Sequence, residues 1–288
     1  MKDRILSTIG LWVVVAAVLW LFNRYDLAQV GGFLTLLGLA LGAQHELYRI
    51  LQQSGAAPRV GSGLACGLGL LVAQFLGFLS LENLDPALLA TLALTWVALL
   101  LSLLRNPGET KPWVTRFPTL FGFLYVPGLL AFLAGFVGWK TGADNTGLWL
   151  AIWVIAVTKF TDVGGLLIGV PFGRHKIAPN VSPAKSLEGC VGGVILACAV
   201  GAAGAWALTR FANIEFSPVK GALLALPLSI LSIPSDLVES HLKRRAGVKD
   251  SGRTIPGIGG ALDLVDSLLL VAPVAYLLLH GLTHAKVG

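Results

Sequence analysis

The chain has 288 residues, 55% of them hydrophobic and 12% charged, with a mean hydropathy of +0.78 and a net charge of +6. Ordinary soluble domains carry about 25% charged residues, and the apolar residues here come in runs near the ~20 needed to cross a bilayer. A soluble globular domain is excluded, and without strand alternation so is a β-barrel; the expected fold class is an all-α polytopic membrane protein.

Nine spans are predicted, at roughly 5–22, 28–48, 62–80, 86–104, 119–138, 146–168, 189–209, 220–238 and 262–281. Lys2 and Arg4 precede the first run, which continues to Phe22 and ends in Asn23-Arg24-Tyr25-Asp26. No small-x-small cleavage site follows it, so an uncleaved first span is expected. Gly31, Gly32, Gly38 and Gly42 in the second span, and Gly192 and Gly193 in the seventh, allow close helix approach. Cys66, Cys190 and Cys198 lack metal-ligand spacing and read as small packing residues. The linkers are short and no internal repeat is visible. One transmembrane domain over 1–288 is therefore expected. Its N-terminal spans fill 1–115 and its catalytic spans 116–288, with cytosolic loops at 169–188 and 239–261.

Basic residues set the orientation. Loops on the N-terminal side carry fifteen Lys and Arg, those on the opposite side carry five, and only Lys159 falls inside a span. Positive charge stays cytoplasmic, so the N-terminus is expected inside and the C-terminus outside. The two most polar loops, after spans six and eight, then both face the cytosol, where soluble nucleotides are.

Span six ends in Lys159-Phe160-Thr161-Asp162, and Lys159 and Asp162 (i, i+3) can neutralise each other there. The loop that follows carries Arg174, His175, Lys176, Ser182, Lys185 and Ser186. Ser182 or Ser186 can equally cap span seven, with Glu188 in its first turn. Neither serine has an obvious base, so neither is expected to act as a covalent nucleophile.

Span eight runs into Pro234-Ser235-Asp236-Leu237-Val238-Glu239-Ser240-His241-Leu242-Lys243-Arg244-Arg245. Asp236, Glu239, Ser240 and Lys243 lie at i, i+3, i+4 and i+7, one face of a helix. A carboxylate at this depth is costly unless it faces protein, water or a metal. Asp236 suits a hard cation and Lys243 a phosphate. The plain alternative is a helix end whose charges reach the interface.

Lys249-Asp250-Ser251-Gly252-Arg253 and Pro256-Gly257-Ile258-Gly259-Gly260 follow. Glycines let backbone N–H groups approach phosphate oxygens, and the start of span nine adds free donors. Asp263 and Asp266 come next, at i and i+3. One Asp near a helix N-terminus is favourable by itself; a second, already entering the membrane, suits a magnesium–triphosphate site. His280 and His284 lack a third ligand and read as interfacial residues.

These residues resemble the signature of the phosphatidate cytidylyltransferases, or CDP-diacylglycerol synthases. The match runs through Asp236, Glu239, Ser240, Lys243, Arg244, Lys249, Asp250, Pro256, Gly257, Gly259, Gly260, Asp263 and Asp266. The sixth loop resembles the family's second motif at Asp162, Gly169, Phe172, Gly173, Lys176, Pro179, Ser182, Pro183, Lys185, Glu188, Gly189, Gly192 and Gly193. Glu46-Leu47-Tyr48-Arg49 is similar to its N-terminal E-x-Y-R segment. The chain departs from the family pattern where it has Ile258 for His, Leu264 for Arg, Ser235 for Gly, and Gly164-Gly165-Leu166 for Gly-Ala-Tyr.

The resemblance implies transfer of a cytidylyl group from CTP to phosphatidate at the cytoplasmic face of the cell (inner) membrane. It implies Asp236 and Asp263 as Mg²⁺ ligands, with room for a second cation such as K⁺. Asp236, Lys243, Asp263 and Asp266 are the implied catalytic residues. Ser182, Lys185, Ser186, Arg244, Lys249, Asp250, Gly259 and Gly260 are the implied substrate-binding residues. The implied partners are CTP, phosphatidate and the lipid bilayer, with room for a homodimer and no nucleic acid. The alternatives are a cytidylyltransferase or CTP-dependent kinase acting on an isoprenoid or other lipid, and a secondary transporter. A transporter's carboxylates gather near the midplane in repeat-related helices; here they cluster at span ends beside basic glycine loops.

Overall fold

The structure is a computed structural model that describes residues 27–76, 112–139, 145–252 and 259–284, with isolated positions between 17 and 25. Most of the expected first span, all of the fourth, the end of the third, and Arg253, Pro256, Gly257 and Ile258 lie outside the described residues. Among those described, the only regular elements are helices, joined by turns and isolated bridges. In chain order they are α1 Ala28–Gln53, α2 Val60–Phe75, α3 Pro112–Phe123, a π-helical turn Leu124–Gly128, α4 Leu129–Gly138, α5 Thr146–Phe172, α6 Leu187–Phe211, α7 Pro218–Arg245, α8 Ala261–Leu269 and α9 Val271–His284.

Among the described residues, four stretches are long and apolar enough to cross a membrane: Trp113–Gly138, Thr146–Phe172, Leu187–Phe211 and Pro218–Arg245. A fifth is the pair α8 and α9, bent by 47°. The protein is a multi-pass helical membrane protein. The predicted spans at 119–138, 146–168, 189–209 and 220–238 fall inside these helices, and the one at 262–281 is broken near Leu270.

The described residues form two compact units. The first holds those up to 140 together with 245–265, and the second holds 141–244 together with those from 266 onward; the border passes along α8.

In the first unit, α1, α2 and α3 are tied by a buried polar knot. Tyr48, fully buried, donates to the Thr119 carbonyl (2.9 Å). Gln44 Nε2 donates to Tyr48 Oη (3.1 Å) and to the Gly63 carbonyl (2.8 Å). Gly63 and Gly122 are required here, because a Cβ at either position would run into the Tyr48 ring. Pro127 has no N–H to give the helix ladder, and the π-helical turn around it absorbs that loss between α3 and α4.

In the second unit, α5 and α6 approach backbone to backbone. A Cβ at Gly164 would strike Gly193 Cα, and one at Gly193 would strike the Thr161 carbonyl. This small-residue contact supplies the dispersion that lipid, being equally apolar, does not oppose. Gly201 of α6 and Gly221 of α7 meet in the same way. Trp153 Nε1 donates to the Gly201 carbonyl (2.9 Å), adding a polar tie inside the apolar layer.

Candidate active site

The second unit gathers three carboxylates. Oxygens of Asp236, Glu239 and Asp266 lie within 4.8 Å of one another. Such a group repels itself strongly away from water, and the fold places an ammonium against each member. Lys185 Nζ lies 2.6 Å from Asp236 Oδ2, Lys243 Nζ 2.7 Å from Glu239 Oε2, and Lys159 Nζ 3.7 Å from Asp266 Oδ1.

The local causes are visible in the chain. Glu239 and Lys243 stand at i, i+4 on α7, as do Asp236 and Ser240, whose hydroxyl donates to Asp236 Oδ1 (3.2 Å). Lys159 of α5 is also 3.7 Å from Asp162 Oδ2, which confirms the expected i, i+3 pair. Its Nζ donates to Ser267 Oγ (2.9 Å), and Ser267 donates on to Asp162 Oδ2 (3.1 Å). Ser235 donates to the Asp266 carbonyl and accepts from Leu270 N–H (3.2 Å), so its hydroxyl holds both sides of the break in the last span.

The loop before α6 supplies Lys185. Ser186 is buried and caps α6, accepting from Gly189 N–H (3.2 Å), as the sequence allowed. Glu188 folds the loop back: Oε2 accepts from the N–H groups of Arg174 (3.1 Å) and His175 (3.2 Å), and Oε1 lies 2.6 Å from His175 Nδ1. Lys185 Nζ also donates to the Ile233 carbonyl (3.2 Å) of α7, and Arg244 Nε donates to the Val181 carbonyl (3.3 Å). Ser182 is half-buried in this loop.

The first unit holds the other part of the signature. Asp263 Oδ2 accepts from Gly260 N–H (2.6 Å), Ser251 Oγ (2.7 Å) and Ser251 N–H (3.1 Å). Glu46 Oε2 of α1 accepts from Leu262 N–H (2.9 Å) and lies 3.0 Å from Ser251 Oγ. Gly259 has φ +125°, a conformation that favours glycine. Lys249 and Asp250 are exposed.

Asp236, Asp266, Lys185 and Lys243 thus converge in one unit, with Ser182, Ser186 and Arg244 in or against the loop that delivers Lys185. Asp263, Gly259, Gly260, Lys249 and Asp250 belong to the other. Sequence reasoning gave no site role to Glu239, which stands on the same helix stripe as Asp236, or to Lys159 beyond its pairing with Asp162. Glu46 entered only through a motif resemblance, although a carboxylate inside a predicted span is itself a signal.

The donor set suits a hard cation: three carboxylates offer oxygens only, the preference of Mg²⁺. The lysines are compact point charges on flexible stems, suited to phosphate. A profile of the cytidylyltransferase family matches residues 2–282. The chain belongs to that family. It is 31% identical to the phosphatidate cytidylyltransferase of Haemophilus influenzae over 95% of this chain and 96% of that protein. It is 42% identical to the phosphatidate cytidylyltransferase of Synechocystis sp. over 46% of this chain and 43% of that protein. The figures for the protein of that name from Mycobacterium leprae are 40% identity, 56% and 48%. The latter two matches each span about half of the relative. Of the departures from the family pattern, Ser235 has a clear structural role in the break between α8 and α9.

Proposed function

We propose that this chain transfers a cytidylyl group from CTP to phosphatidate, giving CDP-diacylglycerol and pyrophosphate. The observation that carries the reading is the group of three carboxylates, each met by a lysine, in a chain alignable over 95% of its length with a phosphatidate cytidylyltransferase. An oxygen of the lipid phosphate attacks the α-phosphorus of CTP. The bond from that phosphorus to the oxygen bridging the β-phosphorus breaks, and pyrophosphate leaves with the bonding electrons. The nucleophile is already ionised, so the protein must align it and spread negative charge rather than remove a proton.

Magnesium would supply charge neutralisation on the phosphates and fix their orientation. Asp236 and Asp263 are assigned to it from the signature motif, Asp266 as a supporting carboxylate, and Glu239 joins Asp236 and Asp266 as a third oxygen source on the geometry of its own unit. A second cation such as K⁺ is part of the proposal. Lys243, Arg244 and Lys249 are assigned to phosphate and pyrophosphate, and Ser182 and Lys185 to nucleotide or lipid phosphate. Ser186 contributes through the helix start that it caps. Asp250, Gly259 and Gly260 complete the substrate-binding set.

The charge asymmetry of the loops supports nine spans, a cytoplasmic N-terminus and a cytoplasmic site in the cell (inner) membrane. No nucleic acid is needed as a partner, and a homodimer is compatible with the assignment. Purified protein given labelled CTP, Mg²⁺ and phosphatidate is expected to form a lipid-linked CMP product. No product with phosphatidate or any isoprenoid phosphate would sink the reading; product with an isoprenoid phosphate alone would keep the transfer and change the acceptor.

A further inference from the structure

Glu46 is a carboxylate 5% exposed on a long helix, far in sequence from the signature. Its Oε2 accepts from Leu262 N–H, 216 positions away, and lies 3.0 Å from Ser251 Oγ, 205 positions away. Two glycines are shaped around it. A Cβ at Gly252 would strike Glu46 Oε1, and one at Gly260 would strike Oε2 and Ser251 Oγ. Both ends of the glycine loop therefore close onto this one side chain.

The contact continues to Asp263. Ser251 has a single hydroxyl hydrogen, and its oxygen lies 2.7 Å from Asp263 Oδ2 as well as 3.0 Å from Glu46 Oε2. That one hydrogen is shared between the two carboxylate oxygens as a three-centre bond, and Ser251 N–H and Gly260 N–H hold Asp263 from either end of the loop. Leu262 N–H belongs to the first turn of α8, where the helix itself offers no acceptor, and Glu46 supplies one.

We propose that Glu46 is a positioning residue for Asp263: it fixes the start of α8 through Leu262 N–H and the Asp263 carboxylate through Ser251. Glu46 touches neither reactant; it acts by holding a rotamer. The inference rests on the proposed cytidylyl transfer for its effect on rate. Its geometry lies wholly among residues of the first unit.

The test compares Glu46→Ala, Glu46→Gln and Ser251→Ala in the full chain, purified in detergent. Misplacing a reacting or charge-bearing group by about 1 Å costs roughly 100-fold in rate. Glu46→Ala is therefore expected to lower kcat by about 30- to 100-fold while the KM for CTP stays within about 3-fold. Gln has the same reach and keeps an acceptor oxygen, so Glu46→Gln is expected to hold kcat within about 5-fold of the parent, a rescue that separates positioning from charge. Near-parental kcat in Glu46→Ala, or a loss in KM alone, overturns the proposal. Where Glu46→Ala does not fold, Ser251→Ala decides: it cuts the link to Asp263 but leaves the Leu262 bond, and an unchanged kcat overturns the proposal.

Hydrogen exchange at Ser251, Gly260 and Leu262 is read on the same samples without substrate. Faster exchange in Glu46→Ala, restored in Glu46→Gln, supports the clamp; unchanged exchange refutes it. If the parent protein transfers nothing to any acceptor, the functional reading fails, and the exchange result still decides whether Glu46 holds the loop.

Discussion

At the scale of single residues, Lys185 carries the clearest electrostatic assignment. Its ammonium meets Asp236 Oδ2 at 2.6 Å and the Ile233 carbonyl at 3.2 Å, joining the loop before α6 to α7. Lys185→Met keeps the apolar stem and removes the charge. Steady-state assays are expected to show kcat/KM lower by about 10- to 100-fold, or roughly 1.4–2.7 kcal/mol. Lys185→Arg is expected to restore only part of this, because a planar fork does not reproduce a point charge. Asp263 accepts three hydrogen bonds on one oxygen. Asp263→Asn is expected to lower turnover by about 1,000-fold or more, roughly 4 kcal/mol, while circular dichroism shows the parental helix content. Near-normal turnover would remove Asp263 from the metal assignment. The stripe Asp236–Glu239–Ser240–Lys243 was legible in the sequence because helix spacing alone brings those side chains to one face. Lys185 was legible as a phosphate candidate, but its present partner was not, since α7 lies some 50 positions further along the chain.

At the scale of elements, the α5–α6 contact depends on missing side chains. A Cβ at Gly193 meets the Thr161 carbonyl, and backbone cannot yield as a side-chain tip can. Gly193→Ala is expected to cost about 1–3 kcal/mol by overpacking, seen as a lower unfolding midpoint in detergent. Gly38 of α1 provides the contrast, with nothing within 4 Å of the added carbon. Gly38→Ala is expected to be neutral or to stabilise by up to about 1 kcal/mol through helix propensity. Helix positions were legible because long apolar runs bounded by charged loops leave few other arrangements. The 47° break between α8 and α9 had a signal that the nine-span reading did not use: Pro273 has no N–H for the Leu269 carbonyl and its ring crowds that carbonyl, which interrupts the helix just before it. Ser235 of α7 receives Leu270 N–H there, and a hydroxyl that helps settle a helix break from another helix leaves no local signature.

At the scale of the whole molecule, the proposed topology and metal dependence make separate demands. Fifteen basic residues against five predict an inside N-terminus and, with nine spans, an outside C-terminus. A C-terminal reporter is expected to be active only on the outer side; activity in the cytosol would overturn the nine-span arrangement while leaving the chemistry open. Chelation of divalent cations is expected to abolish product formation, with recovery on adding Mg²⁺ and no change in helix content. Full activity in excess chelator would exclude a divalent cation from the transfer.

The amino-acid sequence by itself determined that the chain enters a membrane, where most of its helices run, and which acids and bases stand near their ends. These follow from local composition and spacing, which act within a few turns of helix. The tertiary structure decided which lysine meets which carboxylate, that Glu239 joins Asp236 and Asp266, and that Glu46 closes on the start of α8. Contacts of this kind link residues as far as 108 positions apart for the side chains of Lys159 and Ser267 and 216 for Glu46 and the Leu262 N–H. In an apolar surrounding each buried charge or N–H must find a partner, and only the packing of the helices determines which partner is within reach.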